Sequence, residues 1–210
     1  MWTRPIGKLL VLLRGAYMNL EFDEALHQYK KGGIIFPSVT QVMQPLHDKV
    51  YGTDISPTTM EKAADRGTRV HRSIEQYEKY GFKNADDDCK PYFDAYLQFK
   101  QDFPLFGVTA SEKRFYHKAF MYAGTCDLIM HFGRISILAD IKTTQAVHRK
   151  MWAVQLAAYA EGLKAFDNTL IHKMGVIHLK KDGTYTWYEL KPDFSTFLAC
   201  LQIHNFKEDS

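Results

Sequence analysis

The spacing of apolar residues along this chain changes several times, and each change marks a run of elements. From Leu26 to Phe36 the alternation is weak and centres on Lys31-Gly32-Gly33, which predicts a hairpin. Ser38 is a good N-cap for a helix through Leu46, with Val39, Val42, Met43 and Leu46 as its apolar stripe. Ser56-Pro57 opens a second helical stretch towards Tyr80, with a break expected near Gly67. Pro91 to Phe103 reads as a helix that turns Phe93, Tyr96, Leu97 and Phe99 inward. The period then shortens, and Val108–His117, Met121–His131 and Ile135–Lys142 read as three strands. Helical spacing returns from His148 to Ala165, through Trp152, Leu156, Tyr159 and Leu163. Leu170–Lys180 and Thr184–Leu190 flank Lys181-Asp182-Gly183 as a further hairpin, and a last helix runs from Pro192 to Phe206. Helices, three strands, a helix, two strands and a helix predict a central mixed β-sheet flanked by helices, in the α/β class, with helical N-terminal additions.

Composition narrows this only a little. A chain of 210 residues suits one compact domain, and no repeat or Pro/Gly/Ser-rich linker divides it, so residues 1–210 read as a single domain. Hydrophobic residues at 46% and charged residues at 24% exclude a disordered chain. A net charge of +3 permits a nucleic-acid partner without requiring one, so that case must rest on local residues. Asp86-Asp87-Asp88 reads as a solvated loop. Cys89, Cys126 and Cys200 lie far apart and form no C-x-x-C, which argues against a zinc knuckle or a disulfide framework. The simplest compartment is a reducing one: the cytoplasm, or the host cytoplasm if the chain is viral. No apolar run approaches the roughly 20 residues of a membrane span, so no membrane partner is expected. Leu9–Leu13 is too short for a signal-peptide core and reads as a buried strand or part of a disordered leader. Residues 1–17 are expected to be such a leader or a non-native extension ahead of Met18; N-terminal sequencing that finds Met1 or Trp2 in natively expressed protein would exclude the second.

The chemistry falls in the second hairpin. Gly133-Arg134 fits a two-residue type II′ loop, with glycine supplying positive φ at the first position. Phe132 then pairs with Ile135, Met130 with Ile137, and Asp127 lands opposite Asp140. Directly opposed residues share a sheet face with Cβ atoms roughly 4.5–5.5 Å apart. Lys142, two residues on, points to that same face. The other face carries Cys126, Leu128, Met130, Ile137, Ala139 and Ile141 and belongs to the core. Opposed carboxylates repel, and a divalent cation between them offsets the repulsion directly. Mg²⁺ is commonly held by one or two carboxylates plus phosphate oxygens of the substrate. The competing reading is a solvated Asp/Lys ladder, which a sheet covered by helices on both faces disfavours.

Gly124-Thr125-Cys126-Asp127 followed by Asp140-Ile141-Lys142 resembles the D…(D/E)-x-K core of the PD-(D/E)XK nuclease superfamily. Gly67 to His71 matches G-x-x-x-H, and Gln155 to Tyr159 matches Q-x-x-x-Y. In this order the motifs resemble the RecB-type exonuclease branch, and Phe36-Pro37-Ser38-Val39-Thr40 is similar to an entry motif of its phage members. The resemblance covers roughly residues 38–190; each motif is weak alone, and their common register carries it. It implies a restriction-endonuclease-like αβββαβ core and metal-dependent hydrolysis of DNA in recombination, repair or replication. It implies His71, Asp127 and Asp140 as metal ligands, with the Ile141 carbonyl as a fourth. It has Lys142 position the attacking water and stabilise charge on phosphorus. Gln155 and Tyr159, one helical turn apart, would shape the site and hold phosphate.

Other residues carry alternatives. Glu75, one turn after His71, either orients that histidine or is an exposed helix residue. Glu112, on the strand before Asp127, either joins the metal site or pairs with a neighbouring base. Arg149 and Lys150 make the start of their helix basic, for phosphate contact or as a solvated face. Trp152 reads as core. Some RecB-type nucleases carry an iron–sulfur cluster on four cysteines; with three in the chain, no iron–sulfur cluster is expected. No P-loop accompanies the motifs, so the protein would act alone or with a separate single-strand-binding or recombination protein. The expectation is a Mg²⁺-dependent DNA exonuclease that Mn²⁺ also supports, an imidazole ligand favouring the latter. The rivals are a structure-specific or single-strand endonuclease on the same core, a non-catalytic DNA-binding module, and a metal-dependent phosphatase.

Overall fold

The computed structural model describes residues 20–24, 26, 28–51 and 57–208; the expectations for residues 1–17 and for Ser56 lie outside them. Along the chain come β1 (Glu21–Asp23), β2 (Gln28–Lys31), β3 (Ile34–Phe36), α1 (Val39–Val42), α2 (Gln44–Tyr51), α3 (Pro57–Tyr80) and α4 (Lys90–Asp102). Then follow β4 (Gly107–His117), β5 (Tyr122–Phe132), β6 (Ile135–Lys142), α5 (Arg149–Asp167), β7 (Lys173–Leu179), β8 (Tyr185–Leu190) and α6 (Phe194–Glu208). Strands β4 to β8 form one five-stranded sheet in chain order. All its pairings are antiparallel except β6–β7, which is parallel and bridged by α5. This is the mixed α/β sheet flanked by helices that the sequence predicts.

Two apolar layers sandwich the sheet. On one side α1, α5 and α6 bring Val42, Leu156, Leu163 and Phe197 against Ile129 and Leu138. On the other, α3 and α4 bring Val70, Ile74, Tyr96 and Phe99 against Leu128, Met130, Ile137, Ala139 and Ile141. The odd–even split between Ile129 and its neighbours Leu128 and Met130 is the period-2 signature of a strand buried on both faces. Cys126, expected with Leu128 and Met130, instead packs in the α5 layer. The change of face falls where the ladder omits the Glu112–Asp127 pair and Glu112 has a left-handed backbone (φ +51°), although the β4–β5 register is the same on either side, Ser111↔Leu128 and Lys113↔Cys126. Trp152 is in the core as expected.

Several boundaries differ from the sequence expectation. The helix expected from Ser38 to Leu46 is two helices. Ser38 does cap the first in a reciprocal capping box with Gln41. Pro45 then has no N–H to return to Gln41, so the ladder restarts from the Met43 carbonyl, which takes the amides of Leu46 and His47. No break occurs at Gly67: α3 runs unbroken past it, because a lone glycine costs a helix only ~1 kcal/mol and this one lies against Thr143. The expected hairpin gains a third strand, β1, and its antiparallel sheet docks where Ser38 bridges to Ala123. Leu26 and Leu170 lie outside strands and are exposed. Among the described residues, no helix is long and apolar enough to cross a membrane.

Candidate metal centre and cleft

The turn that sets the register is as expected. Gly133 has φ +59° and Arg134 does not share the positive φ, which suits a type II′ loop. Phe132 pairs with Ile135 and the ladder continues to Leu128↔Ala139. One step further Asp127 stands opposite Asp140, where paired backbone ends. The Asp127 carboxylate takes over there, Oδ2 accepting the Ile141 amide at 2.6 Å. Strand β5 thus hands a side chain, rather than a carbonyl, to β6, and the strands part at the point where a site needs space.

Three carboxylates now lie side by side on three strands: Glu112 on β4, Asp127 on β5 and Asp140 on β6. His71 reaches them from α3. Its Nδ1 lies 3.6 Å from both Glu112 Oε1 and Asp127 Oδ1, while Nε2 donates to the Ile141 carbonyl at 3.1 Å. With acceptors at both nitrogens the ring is held as imidazolium: burial pulls its pKa down, but the charges of Asp127 and Glu112 outweigh it and raise it to about 9. Ligand atoms of His71, Glu112 and Asp127 all lie within 4.8 Å of one another, close enough for one ion.

Asp140, on the same face, is engaged by Lys142. Its Oδ2 is buried and lies 2.8 Å from Lys142 Nζ, as an ion pair. Burial raises its pKa to about 6, against the opposing pull of Lys142 and with the help of the Asp127 charge. Burial raises the Asp127 carboxyl too, against the His71 charge. Lys142 also donates to Gln155 Oε1 at 2.9 Å, and Gln155 Nε2 donates to the Tyr159 hydroxyl at 2.8 Å. Gln155 and Tyr159, four residues apart on α5, therefore form one relay fixing the lysine. Burial and the two aspartates hold Tyr159 far above the usual phenol range, so it remains a neutral hydroxyl.

The structure thus gathers His71, Asp127, Asp140, Ile141, Lys142, Gln155 and Tyr159 at one place. Glu112 sits beside Asp127 in the group that can reach an ion, while Asp140 is turned to the lysine. Glu75 lines the same cleft, but its carboxylate pairs with Lys79, one turn along α3, rather than with His71. Arg149 and Lys150 are exposed at the start of α5, with Arg149 stacked over Tyr188 5.4 Å from the ring centre. Residues that sequence reasoning passed over also meet here. Tyr29 bonds Thr125 at 2.8 Å, and Arg114 lies over Phe22. Only the period-2 spacing of Glu112 and Arg114 could have signalled the latter; nothing local ties Phe22 or Tyr29 to β4. These groups line a cleft of about 1140 Å³ between α3 and the small sheet, with Glu112, Thr125 and Lys142 among its walls.

No protein-family model and no curated protein matches this sequence. Among solved structures, the chain is similar to a protein described as SSO0001, with a TM-score of 0.48 and 16% identity, covering 99% of this chain and 88% of that one. It is similar to an alkaline exonuclease from Laribacter hongkongensis, with a TM-score of 0.38 and 7% identity over 67% of this chain and 78% of that one. A protein described as a candidate exonuclease from Eubacterium rectale gives a TM-score of 0.45 and 10% identity, over 85% and 75% of the two chains.

Proposed function

We propose that this protein is a metal-dependent DNA nuclease whose site is the meeting point of His71, Glu112, Asp127, Asp140 and Lys142. The observation that carries this reading is the convergence of His71, Glu112 and Asp127 within 4.8 Å, beside the Asp140–Lys142 pair, in an open cleft. The donor set fits a hard divalent cation such as Mg²⁺, with the imidazole also admitting Mn²⁺. One feature fits a cation at this place: Glu112 and Asp127 both turn an oxygen to within 3.6 Å of His71 Nδ1, so two carboxylates and an imidazole converge on one point. A bound cation would neutralise phosphate charge and favour attack by water on phosphorus.

The chain's own residues then have separate roles. Asp127 is oriented by the Ile141 amide, so its free oxygen is fixed towards His71 and Glu112. Lys142 is held by Asp140 and Gln155, which directs one ammonium at the place where a phosphate would lie. It supports the negative charge that gathers on the phosphoryl oxygens as the P–O bond to the leaving sugar lengthens. The RecB-type resemblance favours action from a DNA end.

The test uses end-labelled linear DNA and covalently closed circles with Mg²⁺. Linear DNA alone should be degraded, and Asp140→Ala and Lys142→Ala should each lose at least about a hundredfold in rate, the scale of one removed charge-stabilising group. Nicked circles would make the enzyme an endonuclease. Cleavage within tenfold of wild type in both variants would overturn the site.

A further inference from the structure

Two residues beyond Glu112 on β4, Arg114 is exposed in the same cleft. Among the described residues no carboxylate lies within ion-pair distance of it, whereas Arg69, half-buried, is held by three. Its guanidinium lies over the Phe22 ring, 5.4 Å from the centre, and Phe22 packs on Tyr29 with ring centres 4.6 Å apart. Tyr29 is buried and tied by its hydroxyl to Thr125, the residue paired with Arg114 across β4–β5. The guanidinium is therefore positioned by a stack of two rings anchored to its own sheet. Such stacking leaves the N–H edge available for a bidentate anion.

We propose that Arg114 is a phosphate-binding residue that grips the phosphate one nucleotide away from the bond being cut, with Phe22 as the surface that orients it. This deepens the nuclease reading and rests on it. The spacing fits such a grip, because two residues of strand span about 7 Å, of the order of one nucleotide step of an extended single strand. The cleft then carries negative charge where a cation is to bind and positive charge one step away, the order that a polyanion bridged to a metal requires. The phosphate gripped is either a terminal monoester or the next diester; both present the same oxygens to the guanidinium.

The experiment measures binding and cleavage of short single-stranded oligonucleotides by wild type, Arg114→Ala, Arg114→Lys and Phe22→Leu, with thermal melting to show that each is folded. Three substrates are compared: one with a terminal phosphate, one with a terminal hydroxyl, and one with an uncharged methylphosphonate at the neighbouring diester. Arg114→Ala should raise KM or Kd about tenfold or more, the scale of one charged hydrogen-bonded contact, with kcat little changed. Arg114→Lys and Phe22→Leu should fall between. The effect should disappear on the one substrate that lacks the gripped phosphate, which identifies it as terminal or internal. Equal losses on all three substrates, or no loss in Arg114→Ala, would overturn the assignment while wild-type cleavage leaves the nuclease reading standing. Arginine-dependent binding without any cleavage by wild type would do the reverse. Neither binding nor cleavage by wild type would overturn both.

Discussion

Asp127 uses both carboxylate oxygens, one on the Ile141 amide and one towards His71 and Glu112, and this division makes it hard to replace. Asparagine can keep the amide bond only by presenting its carbonyl oxygen to Ile141, which turns an NH₂ group towards the histidine and removes a ligand. Glu112 has no such second bond, yet it is held in a left-handed backbone conformation that disfavours any residue with a Cβ, a strain of order 1–3 kcal/mol. Strain at a cleft residue beside a histidine suits a ligand more than a spacer. Glu112→Gln should therefore weaken Mn²⁺ binding at least about tenfold by calorimetry, the loss of one charged ligand. Glu75→Gln should leave it within about twofold, since Lys79 already takes that carboxylate. Equal effects would remove Glu112 from the metal group. A different histidine sets an acid limit on the fold. His117 is buried on Tyr122, its Nδ1 accepts the Phe120 amide, and burial lowers its pKa, only partly offset by Glu161. Above the ordinary value of about 6.5 the ring is neutral folded and unfolded, and its contribution is intact. As pH falls below that value the unfolded chain takes a proton that the folded chain resists, and stability is lost. His117→Asn keeps an acceptor for Phe120 but cannot titrate. Its denaturation midpoint should fall less than that of wild type between pH 7.5 and pH 5.5.

At the scale of elements, the strands of the main sheet were legible because each has strong alternation or a turn with a fixed residue count. The Gly133-Arg134 loop fixes the β5–β6 register by its length alone, and one more residue there would have turned Asp127 and Asp140 to opposite faces. Helix interruptions were less legible, because they depend on single backbone groups. Pro45 splits α1 from α2 by the one amide it lacks, whereas Gly67, a weak helix former by propensity, leaves α3 unbroken. Strand β1, three residues long, has no pattern of its own and exists through pairing with β2. Among the described residues, two helical glycines separate propensity from packing. At Gly67 an added Cβ would meet Thr143 Oγ1 at 3.6 Å, an ordinary contact, so Gly67→Ala should gain up to ~1 kcal/mol. At Gly162 it would strike the ring of Phe115, which is fully buried and cannot turn aside. Overpacking there costs about 1–3 kcal/mol, which outweighs the same helix gain. Gly162→Ala should melt several degrees lower than wild type, and Gly67→Ala no lower; the opposite order would show that Phe115 can repack.

For the whole molecule, Asp127, Asp140 and Lys142 could be read from one loop, whereas His71 was reached only through a motif and Glu112 only as one of two alternatives. His71 arrives on α3 from 56 residues earlier in the chain than Asp127, by packing of Val70 and Ile74 on the far side of the sheet. Glu112 joins it because the β4–β5 register, the same at Ser111↔Leu128 and Lys113↔Cys126, sets it opposite Asp127, and that register follows from no short loop of fixed length. The fold thus collects three carboxylates at one end of its sheet, two with charge that burial disfavours. A cation that binds only the folded chain should return stability. At a free concentration about 100 times its dissociation constant the gain is ~2.7 kcal/mol, equivalent to about 5–10 °C in Tm for a chain of this size. Mn²⁺ should raise the wild-type Tm by that amount, and Asp127→Asn and Glu112→Gln should lose most of the rise. Asp140→Asn should melt higher than wild type without metal, because it removes a buried carboxylate that opposes Asp127, and it should respond less to Mn²⁺. This readout needs no DNA and no turnover, so it separates the centre from the reaction assigned to it. A wild-type Tm unmoved by millimolar Mn²⁺, or an equal rise in all four proteins, would mean that these carboxylates do not hold a metal.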